Sequence, residues 1–257
     1  MQIRAAQSDA IATFRKLHED GSFVLPNPWD IGTAIYLQQA GFRALATTSA
    51  GFAFTRGRPD GGLSLDEMLA HIREMVAATP LPVNADFLGG FAGEPARLSE
   101  NVGLCVATGV AGLSLEDSTG RAEVPLYAQD LAAERMRAAR RAIDQSGIPV
   151  VLTGRCEAFL IDHPDPLPTV LTRLVAYAEA GADCLYAPGL TTSAEIQAVV
   201  KAVAPKPVNV LVTGFNARLS LAQLTDMGVR RISVGSGLGG GGGGDFSRAT
   251  KKRPGRR

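Results

Sequence analysis

The stretch PVNADFLGGFAGEPARLSENVGLCVATGVAGLSLE, residues 82–116, contains one complete strand–helix–strand unit. Two short runs rich in apolar residues, 82–86 and 111–116, flank a longer segment in which Glu94-Pro95 is typical of the first turn of a helix. Gly109 stands between this helix and the second strand, where a helix C-terminus favours glycine. The unit therefore predicts two parallel strands joined by a helix.

The same alternation of strand and helix repeats about every 30 residues along the chain. The predicted strands are 22–26, 43–47, 82–86, 111–116, 148–154, 182–186, 207–212 and 230–234. The predicted helices lie near 30–40, 64–78, 94–108, 127–146, 166–180, 192–203 and 218–227. Because no G-x-G-x-x-G follows the first strand, this pattern favours a closed (β/α)8 barrel of the TIM type over an open doubly wound sheet.

Composition narrows the class of protein. With 46% hydrophobic and 20% charged residues, the 257-residue chain is long enough to bury a full core as one soluble globular domain. No apolar run approaches the roughly 20 residues of a membrane span, and the amphipathic N-terminus lacks the apolar core of a secretory signal. We therefore expect a cytoplasmic protein without membrane contact, in which Cys105, Cys156 and Cys184 are buried and reduced.

Residues 239–257, GGGGGGDFSRATKKRPGRR, depart from the repeating pattern. A closing helix is expected after the eighth strand, but six consecutive glycines and a basic segment cannot form a stable amphipathic helix. We therefore divide the chain into a barrel domain, 1–238, whose closing C-terminal helices are missing, and a disordered tail, 239–257. The tail is joined to a mildly acidic body and has no interleaved aromatic residues, so we do not expect a nucleic-acid partner.

Acidic residues cluster after the third and fourth strands. In this fold the active site lies at the C-terminal ends of the strands. Asp86 and Glu116, with Asp60 from the long loop after the second strand, would supply oxygen ligands that suit Mg²⁺ or Mn²⁺. A helix cap or salt bridge is the alternative for any single acid, but two acids that end adjacent strands repel one another unless a cation or a raised pKa relieves them. Asp117 is expected to be structural, because Glu116 should take the inward direction.

Other polar groups stand at the strand ends. Arg155 could hold a carboxylate of a substrate through its planar guanidinium, or it could form a structural ion pair with Glu157. Ser49-Ala50-Gly51 offers backbone amides that could hold an oxyanion, or a tight turn that only needs small residues. Asn209, in the seventh strand, is a further candidate for substrate binding.

Eight stretches resemble, in order and spacing, the isocitrate lyase/phosphoenolpyruvate mutase superfamily. They are NPWDIGTA (27–34), ATTSAGFAFTRGRPDG (46–61), LPVNADFLGGFAG (81–93), GVAGLSLEDSTG (109–120), VLTGRCEAFL (151–160), GADCLYAPGL (181–190), KPVNVLV (206–212) and GVRRISVGS (228–236). The resemblance implies that Ser49 and the following amides hold a carboxylate or keto oxygen and that Arg155 holds a carboxylate. It also implies that Asp60, Asp86 and Glu116 surround Mg²⁺, largely through water.

Three departures from the superfamily pattern narrow the activity. Asn84 replaces an aspartate two positions before the metal aspartate, so metal binding is expected to be weaker. The loop EDSTGRAEVP (116–125) lacks the K-[KR]-C-G-H motif, which argues against isocitrate or methylisocitrate lyase activity. It also lacks the lysine-asparagine pair of the phosphonate-forming mutases, whose histidine position falls within 186–188, although Arg121 could supply a catalytic cation.

These observations predict a Mg²⁺-dependent lyase or hydrolase that cleaves a C–C bond in a small α-oxo or α-hydroxy carboxylic acid through an enolate. One alternative is phosphorus–carbon chemistry on phosphoenolpyruvate or phosphonopyruvate, and another is an inactive barrel that binds a metabolite. The resemblance also implies a homo-oligomer in which helices after the eighth strand contact a neighbouring subunit. We expect the tail at 239–257 to weaken that assembly.

Overall fold

The computed structural model of the protein describes residues 5–212 and 219–238. All eight predicted strands are present, and they pair in parallel in a single sheet of order β1-β8-β7-β6-β5-β4-β3-β2. Their bounds are β1 Phe23–Leu25, β2 Leu45–Ala46, β3 Val83–Asp86, β4 Gly112–Glu116, β5 Val151–Arg155, β6 Cys184–Tyr186, β7 Val208–Leu211 and β8 Arg231–Ser233.

Hydrogen bonds between the ends of β1 and β2 bring the two edges of the sheet together. The backbone N–H of Ala46 donates to the oxygen of Pro26 at 3.0 Å, and Asn27 Nδ2 donates to the oxygen of Thr47 at 3.1 Å. Asn27 Oδ1 also accepts from the amides of Val234 and Gly235, just after β8. The sheet therefore curls into a nearly closed barrel, and the prediction of a (β/α)8 fold is confirmed.

The seven predicted helices are present, together with two that the sequence pattern did not indicate. The helices are α1 Ala5–Glu19, α2 Ile31–Gln39, α3 Ser49–Thr55, α4 Leu65–Ala78, α5 Pro95–Val106, α6 Gln129–Ser146, α7 Pro166–Glu179, α8 Ser193–Val203 and α9 Leu221–Asp226. The unexpected helices are α1 and α3. Ser49-Ala50-Gly51, for which a tight turn was the alternative to an oxyanion site, is thus the first turn of a short helix.

Local sequence determines where several helices begin and end. The Ser64 hydroxyl accepts from the Glu67 amide at 3.3 Å while the Glu67 carboxylate accepts from the Ser64 amide at 2.9 Å, a capping box that begins α4. Pro95 occupies the first turn of α5, as predicted. Gly147 ends α6 with a φ of 69°, a conformation that side chains with a Cβ rarely adopt.

Helix α1 covers the N-terminal end of the barrel. Phe14 is fully buried, and its ring meets that of Phe23 in β1 edge to face, with centroids 6.1 Å apart. A Cβ added at Gly112, the first residue of β4, would lie 2.7 Å from the Phe14 ring, so glycine is needed for this close approach. Because one end of the barrel is filled in this way, ligands must reach the interior from the other end.

Three further sequence expectations concern the cysteines, membrane spans and the C-terminal tail. Cys105, Cys156 and Cys184 are free and buried, as expected. Among the described residues, no helix is long and apolar enough to span a membrane. The tail at 239–257 lies outside the described residues, so its disorder and its effect on assembly stay predictions.

Candidate active site

The centre of the candidate site is Arg155, the last residue of β5. Its Nε donates to Glu157 Oε1 at 2.5 Å, and its Nη1 lies 3.3 Å from Asp86 Oδ1 and 3.4 Å from Glu116 Oε2. The ring of Tyr186 lies under the guanidinium, with its centroid 5.3 Å from the ζ carbon. Three carboxylates from neighbouring strand ends thus converge on one cation. The ion pair with Glu157, one of the two sequence interpretations of Arg155, is present.

Parallel strand pairing explains why these side chains meet. Glu116 pairs with Arg155 across β4 and β5, and Arg155 pairs with Tyr186 across β5 and β6. Paired residues in a parallel sheet point to the same face, here the barrel interior. The functional groups therefore form an arc at the C-terminal mouth of the barrel, where the fold predicts an active site.

Asp86 is held by residues that follow β2. Its Oδ2 accepts hydrogen bonds from both the amide and the hydroxyl of Ser49, each at 2.9 Å, and its own amide donates to Thr47 Oγ1 at 2.9 Å. Thr48 caps α3 by accepting from the Gly51 amide at 3.1 Å. The Ser49 and Gly51 amides, which the sequence offered as an oxyanion site, therefore already donate within the protein.

Glycine at position 51 is required by this close packing. A Cβ there would lie 2.6 Å from Thr48 Cγ2 and 3.3 Å from the Cβ of Trp29. Small size is thus needed to seat the first turn of α3 against the strand end that holds Asp86. The alternative sequence interpretation, that this segment needs small residues for steric reasons, accounts for Gly51. Ala50 is half-buried in the same turn.

The charges at the mouth are unbalanced. Burial raises the pKa of Glu116 to about 8, and the neighbouring carboxylates add to this against the opposing effect of Arg155. Burial likewise raises the pKa of Glu157. Burial disfavours the charge of Arg155, but Glu157 and Glu116 raise its pKa well above the usual value. The site therefore has more carboxylates than one guanidinium can neutralise.

Of the other predicted residues, Asp60 lies near Asp86, whereas Arg121 is not in contact with the group around Arg155. Asp60 lies on the exposed loop between α3 and α4, and its pKa is raised by partial burial and by the charge of Asp86. The side chain of Arg121 is exposed on the loop after β4 and forms no ion pair within the described ranges. Asn209 is buried inside the barrel, where it donates to Ser233 Oγ and accepts from Arg231 Nε, both at 2.9 Å.

Whether these residues fit a divalent cation depends on their oxygens and their charge. Within residues 5–212 and 219–238, no three His, Cys, Asp or Glu side chains form a ready-made metal-binding group. Asp86 and Glu116 nevertheless offer hard oxygens beside the exposed Asp60, and burial together with the neighbouring carboxylates raises the pKa of Glu116, a cost that a bound cation would relieve. This donor set fits Mg²⁺, which keeps several waters and takes few protein carboxylates.

Two residues at the mouth depend on contacts that the sequence did not indicate. Asp117 accepts from Tyr177 Oη at 2.6 Å, from Arg173 Nη1 at 3.0 Å and from the Glu157 amide at 2.9 Å. Asp117 is therefore structural, as expected, and it positions Glu157 beside Arg155. The only sequence signal for its partners is the spacing of Arg173 and Tyr177 by four residues on α7.

A strained segment after β3 forms one wall beside Glu116. Leu88 and Phe91 adopt φ angles of 50° and 59°, which are unfavourable for residues with a Cβ. The buried guanidinium of Arg135 donates to three backbone oxygens of this segment: those of Gly89, Ala92 and Gly93. The amide of Glu116 in turn donates to the Leu88 oxygen at 3.0 Å, so the segment is fixed to the site.

Besides a small void of about 10 Å³ beside Glu116, Arg155 and Tyr177, two cavities in the described part of the chain reach this group of residues. One, of about 310 Å³, lies between the loops after β3 and β4 and has Glu116, Phe91 and Tyr127 in its wall. The other, of about 40 Å³, lies inside the barrel below Arg155 and Asp86. A further cavity of about 400 Å³ lies at the N-terminal end of the barrel, away from these groups, and has no part in the site.

Mg²⁺ binding should release protons and tighten as the pH rises from about 6 to about 8. Without a cation, Glu116 is largely protonated below its pKa of about 8, so the cation must displace that proton. The affinity should therefore rise by up to about tenfold per pH unit in this window and level off above it. Calorimetry in buffers of different ionisation enthalpy measures the released protons. Glu116→Gln should remove the pH dependence, and a dependence that persists in this variant would exclude Glu116 as its source.

Comparison with known proteins places this geometry in a family. The phosphoenolpyruvate phosphomutase family model matches residues 14–250. A Burkholderia cenocepacia J2315 structure, provisionally described as a lyase/mutase, is 47% identical, with a TM-score of 0.93 over 97% of this chain and 89% of that chain. The 2-methylisocitrate lyase of Escherichia coli K12 is 31% identical over 72% of this chain and 63% of its own length.

A third relative was solved with a bound ligand. The structure of an oxaloacetate acetylhydrolase in complex with its product oxalate is 25% identical and superposes with a TM-score of 0.86, over 96% of this chain and 86% of that chain. The family match covers nearly the whole chain, and the barrel fold agrees with it. The chain belongs to the phosphoenolpyruvate phosphomutase family, within the isocitrate lyase/phosphoenolpyruvate mutase superfamily.

Proposed function

We propose that the protein is a Mg²⁺-dependent lyase or hydrolase that cleaves a C–C bond in a small α-oxo or α-hydroxy carboxylic acid. The observation that carries the proposal is the arrangement of Asp86, Glu116 and Glu157 around Arg155 at the barrel mouth. Relatives named as 2-methylisocitrate lyase and oxaloacetate acetylhydrolase support this reaction class.

Arg155 is suited to bind the carboxylate of the substrate. Glu157 holds its Nε, and Asp86 and Glu116 hold its Nη1, but no described residue forms a hydrogen bond with its Nη2. The Tyr186 ring limits rotation of the guanidinium plane. Nη2 can therefore donate to a carboxylate without any rearrangement of the ion pairs.

Bond cleavage needs a proton acceptor and a place for negative charge. The proton leaves the substrate hydroxyl in a lyase, or an attacking water in a hydrolase, and the exposed Asp60 can accept it because partial burial and Asp86 raise its pKa. The C–C electron pair then moves into the neighbouring carbonyl to form an enolate, near the cationic Arg155, and the proton taken up at the start returns to the enolate carbon. Mg²⁺, held by Asp86 and Glu116 and by Asp60 only through water, would supply further positive charge near the enolate.

Phosphorus–carbon chemistry is the second candidate, because the family model that matches carries that activity in its description. Two features count against it. The loop at 116–125 lacks the lysine and asparagine that the resemblance associates with phosphonate formation, and Tyr186 lies against Arg155 in the region where those mutases have a histidine. Arg121 is the cation that this loop offers instead, and its side chain is exposed.

The purified chain, assayed with Mg²⁺, distinguishes these functions. Oxaloacetate and C4–C6 2-hydroxy dicarboxylates test C–C cleavage through the release of oxo-acid or oxalate, and phosphonopyruvate tests the second candidate. We expect turnover of at least one dicarboxylate and none of phosphonopyruvate. Turnover of phosphonopyruvate alone would replace the proposal with the second candidate, and binding of these acids without any turnover would indicate an inactive metabolite-binding barrel.

Arg155→Lys should weaken oxo-acid binding by on the order of tenfold or more. Lysine keeps the positive charge but loses the planar fork that serves Glu157, Asp86 and a substrate at the same time. Calorimetric titration with oxalate and Mg²⁺ measures the change, and Arg137→Lys on the exposed face of α6 is the matched control. Equal oxalate affinity in Arg155→Lys and the unmodified protein would leave Arg155 with a structural role alone.

A further inference from the structure

A second arginine lies inside the barrel, below the ring of carboxylates. Arg231 begins β8 and is 2% exposed. Its Nε donates to Asn209 Oδ1 at 2.9 Å, and Asn209 Nδ2 donates onward to Ser233 Oγ at 2.9 Å. Arg231 therefore belongs to a polar chain that runs along the inner faces of β7 and β8.

The charge of Arg231 has no counterion in the part of the chain that the structure describes. None of the ion pairs there includes Arg231, and its Nη1 is buried without a hydrogen-bonding partner. An unpaired buried cation is strongly destabilising, since it loses water and gains no compensating charge. Arg155 is the opposite case, because three carboxylates already surround it.

The cavity of about 40 Å³ provides the space for a counterion. Arg231, Asn209 and Ser233 line it from one side, and Asp86 and Arg155 line it towards the mouth. A cavity needs roughly 10–15 Å³ of this kind of volume to hold one water, so it holds about three waters or a group of similar size such as a carboxylate. The cavity thus connects the unpaired guanidinium with the candidate active site.

We propose that Arg231, with Ser233, forms an anion subsite that takes a second carboxylate of the ligand, while Arg155 takes the first. The proposal rests on the proposed function, since it assigns this subsite to the same small organic acids. Arg231 then determines specificity: it favours dicarboxylates over monocarboxylates. The competing explanation is that Arg231 only positions Asn209 through its Nε.

Arg231→Gln separates these explanations. The Nε2 of glutamine occupies the place of the arginine Nε, so it keeps a donor for Asn209 but removes the charge and Nη1. Malate and lactate are matched probes, because both are 2-hydroxy acids and only malate has a second carboxylate. Calorimetry with Mg²⁺ present should show malate binding weakened by roughly ten- to a hundredfold in Arg231→Gln, with lactate binding unchanged.

Arg230→Gln is the matched control. Arg230 precedes Arg231 and donates to the Gly21 oxygen at 3.0 Å, outside this cavity, so its replacement should leave the malate-to-lactate ratio of affinities as it is. Unchanged malate affinity in Arg231→Gln, or failure of the unmodified protein to bind either acid, would overturn the subsite. Turnover of a dicarboxylate with an unchanged ratio would refute the subsite and leave the proposed function standing. Arg231-dependent malate binding without turnover of any acid would support the subsite and refute the proposed function.

Discussion

Asp86→Asn should abolish the stabilisation of the protein by Mg²⁺ and lower turnover by about two to three orders of magnitude. Asp86 is held firmly at the mouth, since Ser49 donates to it twice and Arg155 pairs with it. Asparagine keeps an oxygen that can accept from Ser49, so the barrel and α3 should stay folded. What is lost is the negative charge that a divalent cation requires.

Thermal unfolding with and without Mg²⁺ gives the first measurement, and turnover of the best dicarboxylate gives the second. Asp9→Asn is the control, because Asp9 is an exposed acid on α1 at the closed end of the barrel. This variant should keep both the Mg²⁺ effect and the activity. If Asp86→Asn is stabilised by Mg²⁺ as strongly as the unmodified protein is, Asp86 does not belong to the metal site.

The repeated unit made the barrel predictable. Alternation of short apolar runs with helical segments specifies which stretches form strands, and helix-ending glycines such as Gly147 mark the connections. Helix α3 was missed because Ser49–Thr55 has only seven residues, too few for a helical period to show. Its first turn is stabilised by the long-range contact between Ser49 and Asp86, which local sequence cannot reveal.

The sequence predicted where the candidate residues lie in the barrel but only part of their contacts. A residue at a strand end must lie at the barrel mouth, which is why Asp86, Glu116 and Arg155 were identified together. The sequence does not specify how side chains share one guanidinium, so the simultaneous contacts of Arg155 were not foreseen. Arg231 was overlooked because the candidate residues were taken from the C-terminal ends of the strands, whereas Arg231 stands near the start of the predicted strand 230–234. Only the alternation of inner and outer faces shows that Arg231 lies inside the barrel.

Replacing Asp117 should lower the stability of the fold, whereas replacing Asp86 should lower metal binding and turnover. It is 3% exposed, and its carboxylate accepts from Tyr177, Arg173 and the Glu157 amide. Asp117→Ala leaves the buried Arg173 without its ion pair and removes the acceptor for two further donors. Breaking a buried ion pair in this way costs about 3–5 kcal/mol, so the free energy of unfolding should fall by about that amount.

Urea unfolding measures this loss of stability. Because Asp117 is not one of the proposed Mg²⁺ ligands, the loss should be the same with and without Mg²⁺. Glu134→Ala is the matched control, since Glu134 also meets two donors, Arg137 and Arg141, but does so on the surface of α6, where water screens the charges. That variant should unfold close to the unmodified protein. If Asp117→Ala and Glu134→Ala have equal effects, the network around Asp117 contributes no more than a surface ion pair.

Asp117→Ala should also weaken oxalate binding, because Asp117 holds the backbone of Glu157 and Glu157 holds Arg155. Asp117→Asn keeps an oxygen that can accept from the Glu157 amide or from Tyr177. This variant should therefore lose less stability and less oxalate affinity than Asp117→Ala.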